Sequence, residues 1–151
     1  MKYFLYETGK EFQTLKNEIS HLKNYIEIEK LRYDETLEVD FNINRKTKKI
    51  IVKPLILIPL VENAFKHGAR NSKKNGYIYI NLNATEKLLD FRVENSFEKS
   101  TKKIKEQIGG IGLTNLKKRL ELTYGSDFYS LDITKETNKY IAHLKINLKN
   151  D

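Results

Sequence analysis

The sequence predicts an α+β fold, a two-layer sandwich in which helices cover one side of a mainly antiparallel sheet. Three observations lead there. Residues 37–43, 77–83, 87–95, 128–133 and 139–148 read as strands by alternation and β-branched or aromatic content. The connection at 84–86 is short enough for a hairpin, and the last two strands form a second pair. Stretches at 12–33, 60–68 and 109–124 carry helical periodicity and fall between the strands, with no internal repeat.

Taking the elements in order, Phe12, Leu15, Ile19, Leu22 and Ile26 recur three or four apart, and Glu29 and Tyr33 continue the series, so 12–33 reads as one long amphipathic helix. Ile28 and Leu31 add a second apolar side, expected to dock on a globular body. Leu37, Val39, Phe41 and Ile43 alternate with Glu38, Asp40 and Asn42 as in a half-buried strand. A polar turn at 44–49, a short apolar run at 50–52 and Pro54 precede the next helix. Pro59 sits in its first turn or kinks it. Residues 97–109 lack periodicity, carry Lys99, Lys102, Lys103 and Lys105, and read as a mobile loop. The glycines before 113 open the last helix and Gly125 closes it. His21 and His143 are read as surface residues of a helix and a sheet.

Composition narrows the class. The chain has 151 residues, 39% hydrophobic and 32% charged, enough for one domain with a real core. No apolar run approaches the roughly 18 residues that span a bilayer. With no cysteine, disulfides and thiolate metal sites are excluded. The formal charge of +8 comes from lysines scattered through every segment, so it reads as a solvated surface, with no nucleic acid expected as partner.

Three segments carry candidate chemistry. In LVENAFKHG, helical spacing puts Pro59, Glu62, Asn63, Lys66, His67 and Arg70 on one stripe, opposite Leu57, Leu60, Val61, Ala64, Phe65 and Gly68. An amide, an ammonium and an imidazole on one face suit a polyanion with its metal, because Asn offers a neutral oxygen to a hard cation and Lys a donor to phosphate. In VENS, alternation through Leu89, Phe91 and Val93 turns Asn95 inward at the strand end. There it either meets an adenine edge or satisfies its own backbone in a turn. Gly110 and Gly112 permit close backbone approach ahead of a helix whose free N–H groups favour phosphate. Asn115 and Arg119, four apart on that helix, either support the loop or reach a phosphate.

Together, LVENAFKHG, VENS and GGIGLTNLKKRLELTYG resemble the ATP-binding domain of LytS-type sensor histidine kinases, of the wider superfamily that includes DNA gyrase and the ATP-dependent heat-shock chaperones. The resemblance spans essentially the whole chain, with residues 15–35 matching the stretch that follows the phosphoacceptor region. It implies a Bergerat-type fold with a mixed sheet, 1–35 as a linker helix and 36–151 as the ATP-binding catalytic domain. It also implies a two-component kinase that places Mg-ATP for γ-phosphate transfer to a histidine outside this chain.

By the same resemblance, Asn63 ligates Mg2+, and Glu62, Lys66 and His67 are catalytic, the last two near the phosphates. Asn95 contacts adenine, and Gly110, Ile111, Gly112, Leu113 and Asn115 line the nucleotide beside a lid at 97–109. Expected partners are ATP, the phosphoacceptor region, a response regulator and a second copy in the full-length form. The expected setting is the cytoplasmic side of a longer, inner-membrane-anchored bacterial protein. Three positions depart from the family pattern. Asn95 stands for the usual Asp, Phe97 and Lys99 stand for glycines, and Pro59 lies where gyrase-like members have a catalytic Glu. The alternative is a degenerate interaction module with weak or no nucleotide binding.

Overall fold

A computed structural model of the chain describes residues 13–33, 36–45, 50–54, 56–68, 76–97 and 111–148, with the backbone alone at Arg45, His67, Gly68 and Ile111. The elements run β1 (Gln13–Thr14), α1 (Leu15–Lys30), β2 (Glu38–Arg45), β3 (Ile51–Val52), α2 (Ile58–Asn63), which continues as a π turn over Ala64–Gly68, β4 (Tyr77–Ala84), β5 (Leu88–Ser96), α3 (Ile111–Thr123), β6 (Tyr129–Lys135) and β7 (Lys139–Asn147). One five-stranded sheet has the order β2-β4-β5-β7-β6. β2 runs parallel to β4, and every other neighbour is antiparallel. The mainly antiparallel mixed sheet and the hairpin at 84–86 are as expected.

Strand alternation sorts the sheet into two faces. Ile78, Ile80 and Leu82, then Leu89, Phe91 and Val93, then Ala142, Leu144 and Ile146 are all buried, and they meet the helices through Leu22, Ile26, Leu60, Phe65, Leu116 and Leu120. α2 lies between α1 and α3 and packs on both. The outer face is polar. There the Tyr77 hydroxyl donates to Glu94 at 2.8 Å, and Arg92 donates to its other oxygen at 2.9 Å. Burial works against the Glu94 charge, but these two donors outweigh it and hold the carboxyl below its usual range. Burial and the bond to Glu94 push the Tyr77 phenol up to about 12.

Several expectations are corrected. Of the helix expected over 12–33, the helical part is Leu15–Lys30: Gln13 and Thr14 pair instead with Val52 and Ile51, and the Thr14 side chain caps the helix by accepting from Asn17 N at 3.2 Å. Ile28 and Leu31 are 60% and 86% exposed, because α1 packs through Leu15, Ile19, Leu22 and Ile26 alone. His21 is half-buried, while His143 lies on the outer sheet face, as its surface reading had it, 2.7 Å from Asp90. Pro59 is in the first turn of α2, as one of its two readings had it, where the missing N–H breaks no helical bond. The π turn after Asn63 has no counterpart in the periodicity. Only Phe97 of the expected loop lies within the described residues.

Candidate functional site

The inner side of α2 meets the sheet at one tyrosine. Asn63, the last residue of α2, is 8% exposed, and its amide lies beside the buried Tyr140 hydroxyl. Asn95, 1% exposed, is the cross-strand partner of Tyr140 between β5 and β7. Phe97 completes the group, its ring centre 6.5 Å from that of Tyr140 and its backbone N–H donating to Asn138 O at 3.0 Å. Burial pushes the Tyr140 phenol up and the Asn63 amide pulls against that rise, yet the hydroxyl makes no hydrogen bond of full geometry among the described residues. The Asn95 amide donates to Ser96 O at 2.8 Å, so the local reading of this asparagine holds for its donor.

The outer side of the same helix is different. Glu62 and Lys66 are exposed and form no ion pair among the described residues. They border a groove of about 640 Å³ whose other walls are Phe65 and, from the end of α1, Tyr25, Glu29, Arg32 and Tyr33. The aromatic walls are fastened together. The Tyr33 hydroxyl donates to Phe65 O at 3.2 Å, and the Phe65 ring lies 6.1 Å from Tyr25, edge-on, and 5.9 Å from Tyr33. Arg32 lies 3.8 Å from Glu29. Burial, then the Glu29 and Glu62 carboxylates, push the Tyr25 phenol well above its ordinary value.

The single stripe expected for 59–70 is therefore split. Asn63 turns to the core, where a neutral amide is tolerated beside a hydroxyl, and the charged Glu62 and Lys66 stay wet. The side chain of His67 lies outside the described residues, as do Arg70 and Gly110. Gly112 is exposed, and a Cβ there meets no described atom within 4 Å. Leu113 faces the core and Asn115 is exposed. Sequence reading missed the groove tyrosines and Arg32. Its one available signal was Glu29, a charge standing in the apolar series of α1.

Arg119 does not reach outward. It is half-buried and donates to Pro54 O, with burial working against its charge and the Glu18 carboxylate offsetting part of that. Glu18 is fully buried near the start of α1. It accepts from Gln13 Nε2 at 2.5 Å and from the backbone N–H of Leu57, the residue that precedes α2, at 3.1 Å. The Tyr124 hydroxyl accepts from Lys53 N at 3.2 Å, so α1, α2, α3 and the 50–54 segment are tied at one end.

No group of three or more His, Asp or Glu side chains is placed to hold a metal ion among the described residues. That donor set fits Mg2+ only as part of a nucleotide complex, since Mg2+ keeps phosphate oxygens and waters and takes few protein ligands. Asn63 is a neutral oxygen donor at a helix end and suits such a role.

Residues 1–37 match the histidine kinase family model. The chain is 29% identical over 133 residues to the sensor histidine kinase BtsS of Escherichia coli K12, covering 86% of this chain and 23% of that protein. It is likewise 29% identical over 132 residues to the sensor histidine kinase YesM of Bacillus subtilis, with the same coverage. It is 30% identical over 122 residues to the sensor protein LytS of Staphylococcus saprophyticus, covering 74% of this chain and 21% of that protein. The chain thus spans less than a quarter of the length of these relatives. The catalytic domain of histidine kinase ThkA has the same fold, with a TM-score of 0.60 at 21% identity over 90% of this chain and 94% of that one. So does the Acinetobacter baumannii histidine kinase AdeS, at 0.61 and 13% over 92% of this chain and 68% of that one. By sequence over most of its length this chain is similar to sensor histidine kinases, and by fold over nine-tenths of it to a histidine kinase catalytic domain.

Proposed function

We propose that the chain binds Mg-ATP and places its γ-phosphate for transfer to a histidine outside residues 1–151, with 1–35 as the connection to the phosphoacceptor region and 36–151 as the catalytic domain. The observation that carries this reading is the meeting of Asn63 and Asn95 at Tyr140, within a fold shared with histidine kinase catalytic domains. Asn63 gives its amide oxygen to the metal, and Lys66, exposed one turn on, donates to phosphate. His67 lies beside it in sequence. Asn95 reads the adenine edge. Gly110, Ile111, Gly112, Leu113 and Asn115 form the glycine turn and the start of α3 that approach the phosphates. Mg2+, when bound, neutralises phosphate charge. The chain's own work is to hold and orient the nucleotide, because phosphoryl transfer asks for positioning and charge stabilisation more than covalent chemistry.

An amide accepts a weaker bond from the adenine amino group than a carboxylate does. The Asn at position 95 therefore costs on the order of 1 kcal/mol in affinity, roughly a fivefold higher Kd. ThkA has been solved in complex with the response regulator protein TrrA, and this chain shares its fold there at a TM-score of 0.55 and 20% identity over 91% of this chain and 41% of that one. By that likeness the partner we propose is a response regulator; the resemblance to LytS-type kinases adds to the proposal a second copy and a place on the cytoplasmic side of a membrane-anchored bacterial protein. No helix of the described residues is itself long and apolar enough to cross a membrane.

The test is calorimetry with a non-hydrolysable ATP analogue and Mg2+, together with the melting temperature of Asn63→Ala. At a hundredfold excess over Kd the wild type gains about 2.7 kcal/mol from the nucleotide, and Asn63→Ala loses that gain. Absence of binding at millimolar ligand sinks the reading. That result favours the degenerate interaction module, which draws on the burial of Phe97 against Tyr140 where the family motif has glycine.

A further inference from the structure

We infer that the groove between the end of α1 and the helical segment 58–68 receives the phosphoacceptor imidazole, and that Glu62 is the carboxylate that holds its N–H proton during transfer. This rests on the kinase reading above and names where its second substrate enters.

The groove has what a reacting imidazole needs. Its floor is aromatic and fixed: Tyr25 and Tyr33 are packed on Phe65, and the Tyr33 hydroxyl is bonded to the backbone of the same residue. A ring from another polypeptide can lie flat on such a surface. The volume of about 640 Å³ admits a side chain together with part of the backbone that carries it. Lys66 stands on the groove wall, so a phosphate held by this ammonium adjoins the groove. Ile28 and Leu31, at the same end of α1, are left exposed, as a surface that meets a second polypeptide would be.

Two carboxylates line the groove, and among the described residues only Glu29 is in an ion pair. Glu29 stands 3.8 Å from Arg32, with its side chain 13% exposed. Glu62 is exposed and forms no ion pair among the described residues. In the step, the imidazole nitrogen facing the phosphate gives its lone pair to the γ-phosphorus. An N–P bond forms, the P–O bond to the β,γ-bridging oxygen breaks, and ADP leaves with that electron pair. The ring becomes cationic, and the proton on its other nitrogen passes to the Glu62 carboxylate and on to water. A positioned general base of this kind contributes about 10²- to 10⁴-fold.

The experiment compares wild type, Glu62→Gln and Glu62→Asp with the phosphoacceptor region present, joined to the chain or supplied as a separate polypeptide. Glu62→Gln is expected to lower the rate of histidine phosphorylation about a hundredfold or more while the Kd for the ATP analogue stays within about threefold, and Glu62→Asp recovers part of the rate. A second readout needs no turnover. The chain has no cysteine, so Glu62→Cys paired with a cysteine in place of the phosphoacceptor histidine is expected to form a disulfide under mild diamide oxidation with Mg-ADP bound. Wild-type rates in Glu62→Gln, a large rise in its nucleotide Kd, or two thiols that react with a maleimide but do not cross-link would each overturn the inference. A wild type that binds no nucleotide overturns the kinase reading as well, and the two failures are thereby told apart.

Discussion

α1 meets α2 at two places that are built in opposite ways. Near the start of α1, Glu18 is fully buried and its oxygens are taken by Gln13 and by the N–H of Leu57. At its other end, Tyr25, Glu29, Arg32 and Tyr33 stand around open space with Glu62 and Lys66 opposite. The first contact is closed, with Glu18 bonded to a side chain and to a backbone N–H that hold the segments together. The second keeps charges at a cavity, where they contribute little to stability and remain available to a ligand. The position of a charge relative to solvent, more than its chemical type, separates the structural carboxylate from the candidate functional one.

The largest test of this contrast is Glu18→Ala. It leaves Arg119 half-buried without its nearby anion and the Leu57 N–H without its acceptor, so it is expected to cost about 3 kcal/mol or more in urea denaturation. Substituting the exposed Glu62 should change stability by less than about 0.5 kcal/mol. If the two substitutions cost alike, the contrast is lost.

Tyr33→Phe sharpens the comparison from the open end. It keeps the ring against Phe65 and removes the 3.2 Å bond to the Phe65 carbonyl. We expect a loss of about 1 kcal/mol, with amide exchange rising in 64–68 before it rises near Leu57. Exchange that rises first near Leu57 would mean that the two contacts open as one.

These two ends were unequally legible in the sequence. The strands, the hairpin at 84–86 and the buried face of α1 follow from periodicity, because period-two and period-3.6 patterns report directly on which face is covered. The inward turn of Asn95 followed from the same alternation, and the helix closing at Gly125, with φ of +79°, followed from glycine at a left-handed position. Glu18 could not be found this way, since a buried carboxylate looks like any solvated helix glutamate until its partners at Gln13 and Leu57 are brought together by the fold. The split of Asn63 from Glu62 and Lys66 was hidden for a related reason. The stripe was drawn for one regular helix, and the chain passes into a π turn at Ala64. The groove is made by two elements distant in sequence, and only Glu29, out of place in an apolar series, hinted at it.

The smallest effect concerns the charge of the open end. Burial, together with Glu29 and Glu62, raises the Tyr25 phenol in the folded chain above its unfolded value near 10. A phenol whose folded pKa is raised adds stability that is fully present below about pH 10 and is lost as pH climbs through that value, because the unfolded chain ionises first. Tyr25→Phe removes this contribution. At pH 7 its stability is expected to stay within about 0.5 kcal/mol of wild type, and between about pH 10 and 11.5 the fall in melting temperature becomes shallower. The difference is held to about 1 kcal/mol by solvent screening at a half-exposed ring. Glu62→Gln takes away one of the two carboxylates acting on the phenol, so absorbance titration should find Tyr25 ionising at lower pH in that variant than in wild type. A Tyr25 titration indifferent to Glu62 would separate that carboxylate from the groove and leave the open end with Glu29 alone.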